Sequence, residues 1–342
     1  MINFRNDYSD IAHPDILDLL YKSRNEQNIG YGLDYHSVNA QNLIKKELNN
    51  NNVDIHFLVG GTSCNKIVIS HVLRPYEAVI SVSIGHINVH ETGAIEASGH
   101  KILTTNGVNG KITKEEIIQI VRSHTDEHMV KPKMVYISNS TEIGTIYNKK
   151  ELEEIYSVCK DLDLYLYLDG ARLGVALTSD ENDLTLEDVS KLTDLFYIGG
   201  TKNGAMLGEA LVIINDKLKD NFRYSIKQNG GMLAKGFIAA IQFEALFSNN
   251  LFFKLANSAN ELANLLKTNL INLGVKLAFN SPTNQQFIIL DNHTVDKLKE
   301  NYRFEIWEKL RDKTAIRLVT SWMTTTEDVL RFIADIKFLL EK

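Results

Sequence analysis

The sequence has little cysteine and no excess of positive charge, and each shortage excludes a class of protein. Cys64 and Cys159 are the only cysteines among 342 residues, too few for a disulfide framework, so we expect a cytoplasmic protein. The 37 Lys and Arg residues stand against 43 Asp and Glu, a net charge of −6 that argues against a nucleic acid partner. No apolar run reaches the roughly 20 residues of a membrane span. The first residues lack the basic and apolar regions of a signal peptide.

Alternating strand and helix patterns predict the architecture between about residues 53 and 215. Capping boxes at Thr113 and Thr185 mark the starts of two of the helices. Such alternation predicts an α/β fold of three layers, in which helices cover both faces of a mostly parallel sheet. After about residue 245 the strands become sparse, so we predict a large domain over 1–245 and a smaller α+β domain over 246–342. The strands predicted in the large domain are 54–59, 77–83, 133–138, 164–169, 195–200 and 209–214.

Two of these strands end abruptly in glycine-rich sequence beside a charged residue. The segment LYLYLDGARLG places Asp169 at a strand end, and LFYIGGTKNGAMLG places Lys202 just after another. Ligands gather at the carboxyl ends of strands in open α/β sheets, so we expect both side chains at one site. A lysine that forms a Schiff base and an aspartate that holds a protonated ring nitrogen are what pyridoxal 5'-phosphate (PLP) requires. Strand ends also carry charge simply because they meet water, but the pairing favours a PLP site.

A glycine-rich turn between a strand and a helix supplies a candidate phosphate site. In FLVGGTSCNK, Gly60 and Gly61 allow close backbone approach, and Thr62 and Ser63 fall in the first helical turn. The free N–H groups and the dipole of a helix start favour phosphate there. A Gly-Gly-Thr turn is often only a helix cap, so this prediction depends on the PLP site already indicated.

The segment SIGHINVHETG carries two histidines and a glutamate. His86 and His90 have the spacing of metal ligands on a helix, but no third ligand stands near them in sequence, and we predict no metal site. For His90 we favour an ordinary structural role. His86 follows a strand end and Gly85, a position from which an imidazole can stack on a cofactor ring and act as general base near neutral pH.

These motifs, in this order and spacing, resemble those of the L-threonine aldolase and β-eliminating lyase family of PLP enzymes. The likeness runs through INFRNDYSD, GYGLDYHSVNA, VGGTSCN, GHINVHETGA, YLDGARLG, GGTKNG, NGGMLAKG and IRLVTSW, nearly the whole length. It implies an aspartate-aminotransferase-like fold, Lys202 as the Schiff-base lysine and His86 stacked on the ring. It also implies that Arg172 and Arg317 bind the substrate carboxylate and that Tyr31 stands near the mouth of the site. The implied cofactor-binding residues are Gly61, Thr62, Ser63, His86, Asp169, Arg172, Thr201 and Lys202.

Three positions depart from the family pattern. Where many members have a serine that touches the substrate carboxylate, this chain has Asn6, which we keep as a substrate-binding residue. Glu142 replaces a second histidine in the loop STEIGT, so the general base is either His86 or Glu142. In many members an arginine reaches the neighbouring subunit's phosphate, and in this chain Leu233 takes its place. Gly230 and Gly231 are then the candidate contact to the partner subunit.

The reaction that the resemblance implies is cleavage of a β-hydroxy-α-amino acid, of the L-threonine or L-allo-threonine type, to glycine and an aldehyde. β-Elimination from another amino acid is the alternative within PLP chemistry. Composition leaves an aminotransferase open, although the motifs argue against it. A cysteine desulfurase is disfavoured because neither cysteine lies on a predicted mobile loop. A non-catalytic PLP-binding scaffold is the alternative outside enzymes. We expect an amino acid as the small-molecule partner and a homodimer or homotetramer.

Overall fold

The computed structural model describes residues 1–341, which form a seven-stranded sheet, a four-stranded sheet, a two-stranded ribbon and the helices around them. The strands are β1 (Ile2–Asn3), β2 (Asp54–Leu58), β3 (Glu77–Val82), β4 (Lys101–Thr105), β5 (Lys131–Ser138), β6 (Tyr165–Asp169), β7 (Leu195–Gly199), β8 (Glu209–Ile213), β9 (Lys276–Phe279), β10 (Gln285–Asp291), β11 (Tyr302–Arg303), β12 (Glu305–Lys309) and β13 (Lys313–Val319).

The helices connect these strands and cover the sheets. The α-helices are α1 (Pro14–Lys22), α2 (Tyr35–Glu47), α3 (Gly61–Val72), α4 (His86–Val89), α5 (Lys114–Ser123), α6 (Lys149–Asp161), α7 (Leu173–Leu177), α8 (Leu186–Lys191), α9 (Phe222–Gln228), α10 (Phe237–Phe247), α11 (Leu251–Asn272), α12 (Asn292–Leu298) and α13 (Thr326–Leu340). Short 3₁₀ turns lie at Ser23–Asn25, Glu96–Ser98, Asp216–Leu218 and Ser248–Asn250. Within residues 1–341, none of the helices combines the length and the apolar character that a membrane crossing needs.

The seven-stranded sheet has the order β2-β8-β7-β6-β5-β3-β4. Strands β3 to β7 run parallel, β8 is antiparallel to β7, and β2 is antiparallel to β8. All strands of this sheet except β8 therefore point the same way. Their carboxyl ends share one edge with the start of β8, which places several chain segments side by side there. The predicted α/β fold with a mostly parallel sheet is confirmed.

Apolar side chains fill both faces of this sheet, which explains why its strands read as nearly continuous apolar runs. Successive residues of a strand point to opposite faces. Leu166, Leu168 and Phe196 belong to a core on one side, which also includes residues of α2, α6 and α10. Tyr167 and Tyr197 belong to a second core on the other side, closed by α3 and α9.

Helix starts are marked by side chains that bind free backbone N–H groups. The predicted capping boxes at Thr113 and Thr185 are present at α5 and α8. Two further boxes begin α6 at Asn148 and α13 at Thr325. Because each such cap stabilises its helix by about 1 kcal/mol, these residues set where the four helices begin.

The smaller sheet is antiparallel, with the order β12-β13-β10-β9, and it confirms the predicted α+β character of the C-terminal part. Its core includes Leu266 of α11 and Phe332 of α13. The N-terminal segment also belongs here, because β1 pairs with β11 and Phe4 is fully buried in the same core. The division of the chain at residue 245 stays a prediction.

The sequence pattern predicts no strand at β4 or β12, and the structure contains both. Each lies at an edge of its sheet. β4 begins with exposed Lys101. β12 is partly buried and contains the charged residues Glu305 and Glu308. Edge strands have one neighbour and more contact with water, so charged residues interrupt the apolar pattern by which a strand is found.

Candidate active site

A cavity of about 180 Å³ lies at the carboxyl edge of the seven-stranded sheet. Its walls come from the turn between β2 and α3, the ends of β5, β6 and β7 with the loops after them, and the start of β8. The cavity brings together most of the predicted site residues, namely Gly61, Thr62, His86, Glu142, Asp169, Arg172, Thr201 and Lys202.

Asp169 ends β6 and is held by several hydrogen-bond donors. The Tyr197 hydroxyl donates to its Oδ1 at 2.5 Å, and the Tyr136 hydroxyl donates to its Oδ2 at 2.6 Å. The backbone N–H of Ala171 donates to Oδ1 at 3.0 Å. Burial acts to raise the pKa of Asp169, but the charge of His86 and these hydrogen bonds outweigh it and lower that pKa. The carboxylate therefore stays ionised, as the partner of a protonated ring nitrogen must be.

His86 is oriented by a chain of buried hydrogen bonds. Its Nδ1 lies 2.7 Å from Oε1 of Glu91, whose side chain is fully buried. Asn65 donates to the same Oε1 at 2.6 Å and to Asp169 at 3.2 Å, so one amide joins two carboxylates. Burial acts to lower the pKa of His86, but the Glu91 hydrogen bond and the charge of Glu142 raise it. Because a carboxylate only accepts, Nδ1 donates and Nε2 is the nitrogen left for other partners.

The second histidine of this segment, His90, lines a neighbouring cavity. Its ring centre lies 5.5 Å from that of His86. Within residues 1–341, no group of three or more His, Cys, Asp or Glu side chains is placed to hold a metal ion.

Lys202 follows β7 in a tight turn. Gly204 has a φ of 91°, a left-handed conformation that favours glycine. The Nζ atom of Lys202 lies 5.9 Å from the centre of the Tyr8 ring. Burial and the neighbouring Arg172 guanidinium lower the pKa of Lys202. A lowered pKa increases the fraction of neutral amine, which is the nucleophilic form.

Three of the predicted phosphate residues line the cavity, namely Gly61, Thr62 and Thr201. Gly61 begins α3, and a Cβ atom at this position would lie 2.8 Å from the Tyr197 hydroxyl, so only glycine leaves this space open. Ser63 lies in the first turn of α3 but outside the cavity wall.

The two arginines implied to bind the substrate carboxylate have different surroundings. Arg172 donates from Nε to Asp7 at 2.8 Å and from Nη2 at 3.0 Å, a bidentate pair that sequence analysis did not predict. Arg317 contacts Gln285 at 3.4 Å, and its buried Nε has no hydrogen-bond partner in residues 1–341. Burial and the nearby Arg172 lower the pKa of Arg317.

A second cavity of about 710 Å³ adjoins the first. Asn6, Glu142, Trp307 and Arg317 line it, so Glu142 borders both cavities. Tyr31 lies elsewhere. It lines a separate cavity of about 40 Å³ that also includes Gly231 and Leu233, and the structure does not bring it together with the lysine in one protomer.

Comparison with known proteins assigns the family. The sequence model of the β-eliminating lyases matches residues 30–293. The chain is 30% identical over 342 residues to a low specificity L-threonine aldolase of a Pseudomonas species, covering 98% of this chain and 96% of that protein. The chain belongs to the β-eliminating lyase and threonine aldolase family. The solved threonine aldolase of Leishmania major matches this lyase with a TM-score of 0.98 and 48% identity, over 99% of the lyase and 100% of that chain. A histidinol-phosphate aminotransferase from Clostridium acetobutylicum shares the fold, with a TM-score of 0.75 at 15% identity, over 100% and 99% of the two chains.

This lyase is PLP-dependent, as predicted, and the residues of its cavity fit that cofactor. The ionised Asp169 suits a protonated ring nitrogen, and Lys202 stands in the same cavity. The start of α3 offers backbone N–H groups to a phosphate. The buried Ser140 Oγ lines the cavity and has no hydrogen-bond partner in residues 1–341, so a donor is available for a bound polar group.

Several residues that build this site escaped the sequence analysis. They are Asn65, Tyr136, Tyr197, Asp7 and Glu209. The two tyrosines did leave a signal, because each places a hydroxyl near the end of an otherwise apolar strand, and a buried hydroxyl needs a partner. Asn65 and Asp7 hydrogen-bond to residues far away in the chain, and nothing local in the sequence indicates those partners. Glu209 hydrogen-bonds to Thr201, eight residues before it, across the turn between β7 and β8.

Proposed function

We propose that this lyase cleaves β-hydroxy-α-amino acids of the threonine type to glycine and an aldehyde. The observation that carries the proposal is the position of Glu142 on the wall shared by both cavities. On one side of it stand Lys202 and Asp169, and on the other side stands Arg317. A carboxylate at this boundary is placed to take the proton of a β-hydroxyl while the amino acid is held at the cofactor.

PLP, when bound, accepts the electron pair of the carbon–carbon bond that breaks. Asp169 keeps the proton on the ring nitrogen, which makes this acceptance favourable. His86 packs in the same cavity with Nε2 available, so it is the second candidate base, directly or through water. Separate mutations can distinguish His86 from Glu142 as the base, because the two residues lie on different segments.

The substrate carboxylate is assigned mainly to Arg317. Its buried Nε lacks a protein partner within the described residues, and a guanidinium fork binds a carboxylate bidentately. Arg172 already donates from Nε and Nη2 to Asp7, so Nη1 and the second N–H of Nη2 are the donors it has left. Asn6 lines the same larger cavity as Arg317, and we assign it to the substrate as well.

A substrate panel tests the proposal. Purified enzyme is incubated with L-threonine, L-allo-threonine and phenylserine, and glycine and aldehyde are quantified. We expect both threonine epimers to yield glycine and acetaldehyde with modest discrimination, because a carboxylate accepts a proton from more than one direction. Release of ammonia and a keto acid from serine-type substrates, with no glycine from the panel, would establish β-elimination instead.

We further propose that the active unit is a homodimer or homotetramer. Tyr31, Leu33, Tyr35 and Leu233 expose apolar side chains. Tyr31 N–H donates to the carbonyl of Ala234, so the two segments that carry these residues lie side by side. Sedimentation at assay concentration should show at least a dimer, and a fully active monomer would contradict the proposal. The cytoplasmic location stays a prediction.

A further inference from the structure

A buried glutamate lines the cofactor cavity and contacts Thr201, one of the predicted phosphate residues. Glu209 begins β8 opposite Gly199, the last residue of β7, and only 5% of its surface is exposed. Its Oε1 accepts from the Thr201 hydroxyl at 2.9 Å, and its Oε2 accepts from the Gly200 N–H at 2.9 Å. Glu209 also lines the cavity, beside Thr62.

The hydrogen bonds of Thr201 create a conflict with its expected role. A hydroxyl has one proton to donate. Thr201 Oγ1 accepts a hydrogen bond from the Gly208 N–H at 3.0 Å and donates its own proton to Glu209. In this arrangement Thr201 has no proton for a phosphate oxygen, and an ionised carboxylate also stands close to where an anion is to bind.

We propose that Glu209 takes up a proton when the phosphate of PLP binds and thereby converts Thr201 into a phosphate donor. The proton comes from solvent and forms an O–H bond at Oε1. That O–H then donates to Thr201 Oγ1, and the Thr201 proton turns toward the phosphate. No electron is transferred. Glu209 acts through Thr201 and is therefore a positioning residue. The inference concerns cofactor loading and does not depend on which substrate the lyase cleaves.

The charges around Glu209 support a carboxyl that changes state near neutral pH. Burial raises its pKa to about 7, against the hydrogen bond from Thr201 and the charge of Lys202. Asp169 acts in the same direction as burial. A phosphate brought nearby raises the pKa further, because like charges disfavour ionisation. The other titratable groups that face Glu209 are Cys64, Tyr167 and Tyr197.

A purely structural role would leave a different signature. Glu209 ties the turn that carries Lys202, since it binds Gly200 and Thr201 at its start. Loss of that tie alone would weaken binding of any aldehyde that bonds the lysine, with or without a phosphate. The comparison of PLP with pyridoxal, which lacks the phosphate, therefore separates the two roles.

The test measures the Kd of PLP and of pyridoxal by visible absorbance, on full-length protein freed of cofactor, between pH 7.5 and 9. In this range the phosphate, with a second pKa of about 6, is already a dianion. In the wild type we expect the ratio of the pyridoxal Kd to the PLP Kd to fall about tenfold per pH unit, as linkage to one proton requires. A ratio that stays constant would overturn the proposal.

Three variants sharpen the result. Glu209→Gln should hold the ratio constant within about twofold, because the amide donates to Thr201 and accepts from Gly200 without titrating. Thr201→Val should weaken PLP binding and leave pyridoxal binding unchanged, which keeps the test decisive if the glutamine variant fails to fold. Glu77→Gln is the matched control. Glu77 is a buried glutamate at the start of β3, the end away from the cavity, and this variant should keep the wild-type dependence of the Kd ratio on pH. The same slope in Glu209→Gln would overturn the proposal.

Discussion

The two ends of the active site are built differently. At the cofactor end, Asp169 receives donors from two tyrosines of β5 and β7, the backbone N–H of Ala171 and Asn65 of α3. At the substrate end, Arg317 has one long hydrogen bond, its Nε has no partner within residues 1–341, and Tyr8 is exposed. A preorganised group stabilises charge without rearranging, whereas a loosely held one gains its partners when the ligand arrives. The difference predicts fixed cofactor chemistry combined with a broad choice of substrate side chain.

The largest effect should come from the cofactor end. Lys202→Ala removes the nucleophilic amine, and we expect turnover to fall on the order of 10⁴-fold or more, as when a covalent catalyst is lost. The purified wild type should be yellow, and the variant should lose the visible absorbance of bound PLP. Borohydride reduction and peptide mapping of the wild type should place the pyridoxyl adduct on Lys202. An adduct on another lysine would refute the assignment.

Removal of the boundary carboxylate should have the next largest effect. Glu142→Gln should lower turnover by a factor of roughly 100 or more, within the usual range for general-base catalysis. PLP absorbance should stay unchanged, because Glu142 is not expected to hold the cofactor. Glu305→Gln is the control, since Glu305 borders the larger cavity only. An unchanged rate in Glu142→Gln would move the role of base to His86.

A smaller effect should follow at the carboxylate site. Arg317→Ala should raise the KM for amino acids about tenfold to hundredfold with PLP still bound, because a hydrogen bond to a charged group contributes roughly 1.5–3 kcal/mol. Arg5→Ala is the matched control. Arg5 lines the same cavity, but it is exposed and pairs with Glu305, so its loss should change KM less than about twofold. Equal effects of the two variants would show that Arg317 is only a structural residue of β13.

The smallest effect should be a change in pH dependence. If His86 acts as base, activity falls as the pH drops through its raised pKa, because the protonated ring cannot accept a proton. Glu91→Gln removes the charge that helps to raise this pKa, so the acid limb of turnover should move to lower pH. The plateau should fall roughly fivefold, the equivalent of about 1 kcal/mol. Exposed Glu96 supplies the control as Glu96→Gln. An acid limb that does not move would show that Glu91 has no influence on the pKa of the catalytic base.

Residues that stand out in the local sequence pattern could be predicted from the sequence. Asp169 and Lys202 each end an apolar run in glycine, and the parallel sheet brings such ends together whatever the exact register. Glu91 was visible only as part of a candidate metal segment. Its true partners, Asn65 and His86, become evident once α3 and the segment after β3 are placed at the same edge.

Long-range pairing limited the prediction elsewhere. Arg172 reads as a free guanidinium in YLDGARLG, yet Asp7 occupies two of its nitrogens. Tyr31 stands in a turn that no local signal ties to either sheet, and it lies beside Leu233 in another cavity. The sequence shows which residues have chemistry to offer, but the neighbour that occupies each one depends on packing between distant segments.

The pairing of β1 with β11 has a consequence for the order of synthesis and folding. Ile2 pairs with Tyr302, and Asp7, a few residues later, holds Arg172. A nascent chain that has already completed the seven-stranded sheet still lacks the strand against which its first residues align. We therefore expect Arg172 to gain its carboxylate only after β11 has been synthesised. Chains that stop short of β11 would remain catalytically silent, because the segment that carries Asp7 then has no strand to align against.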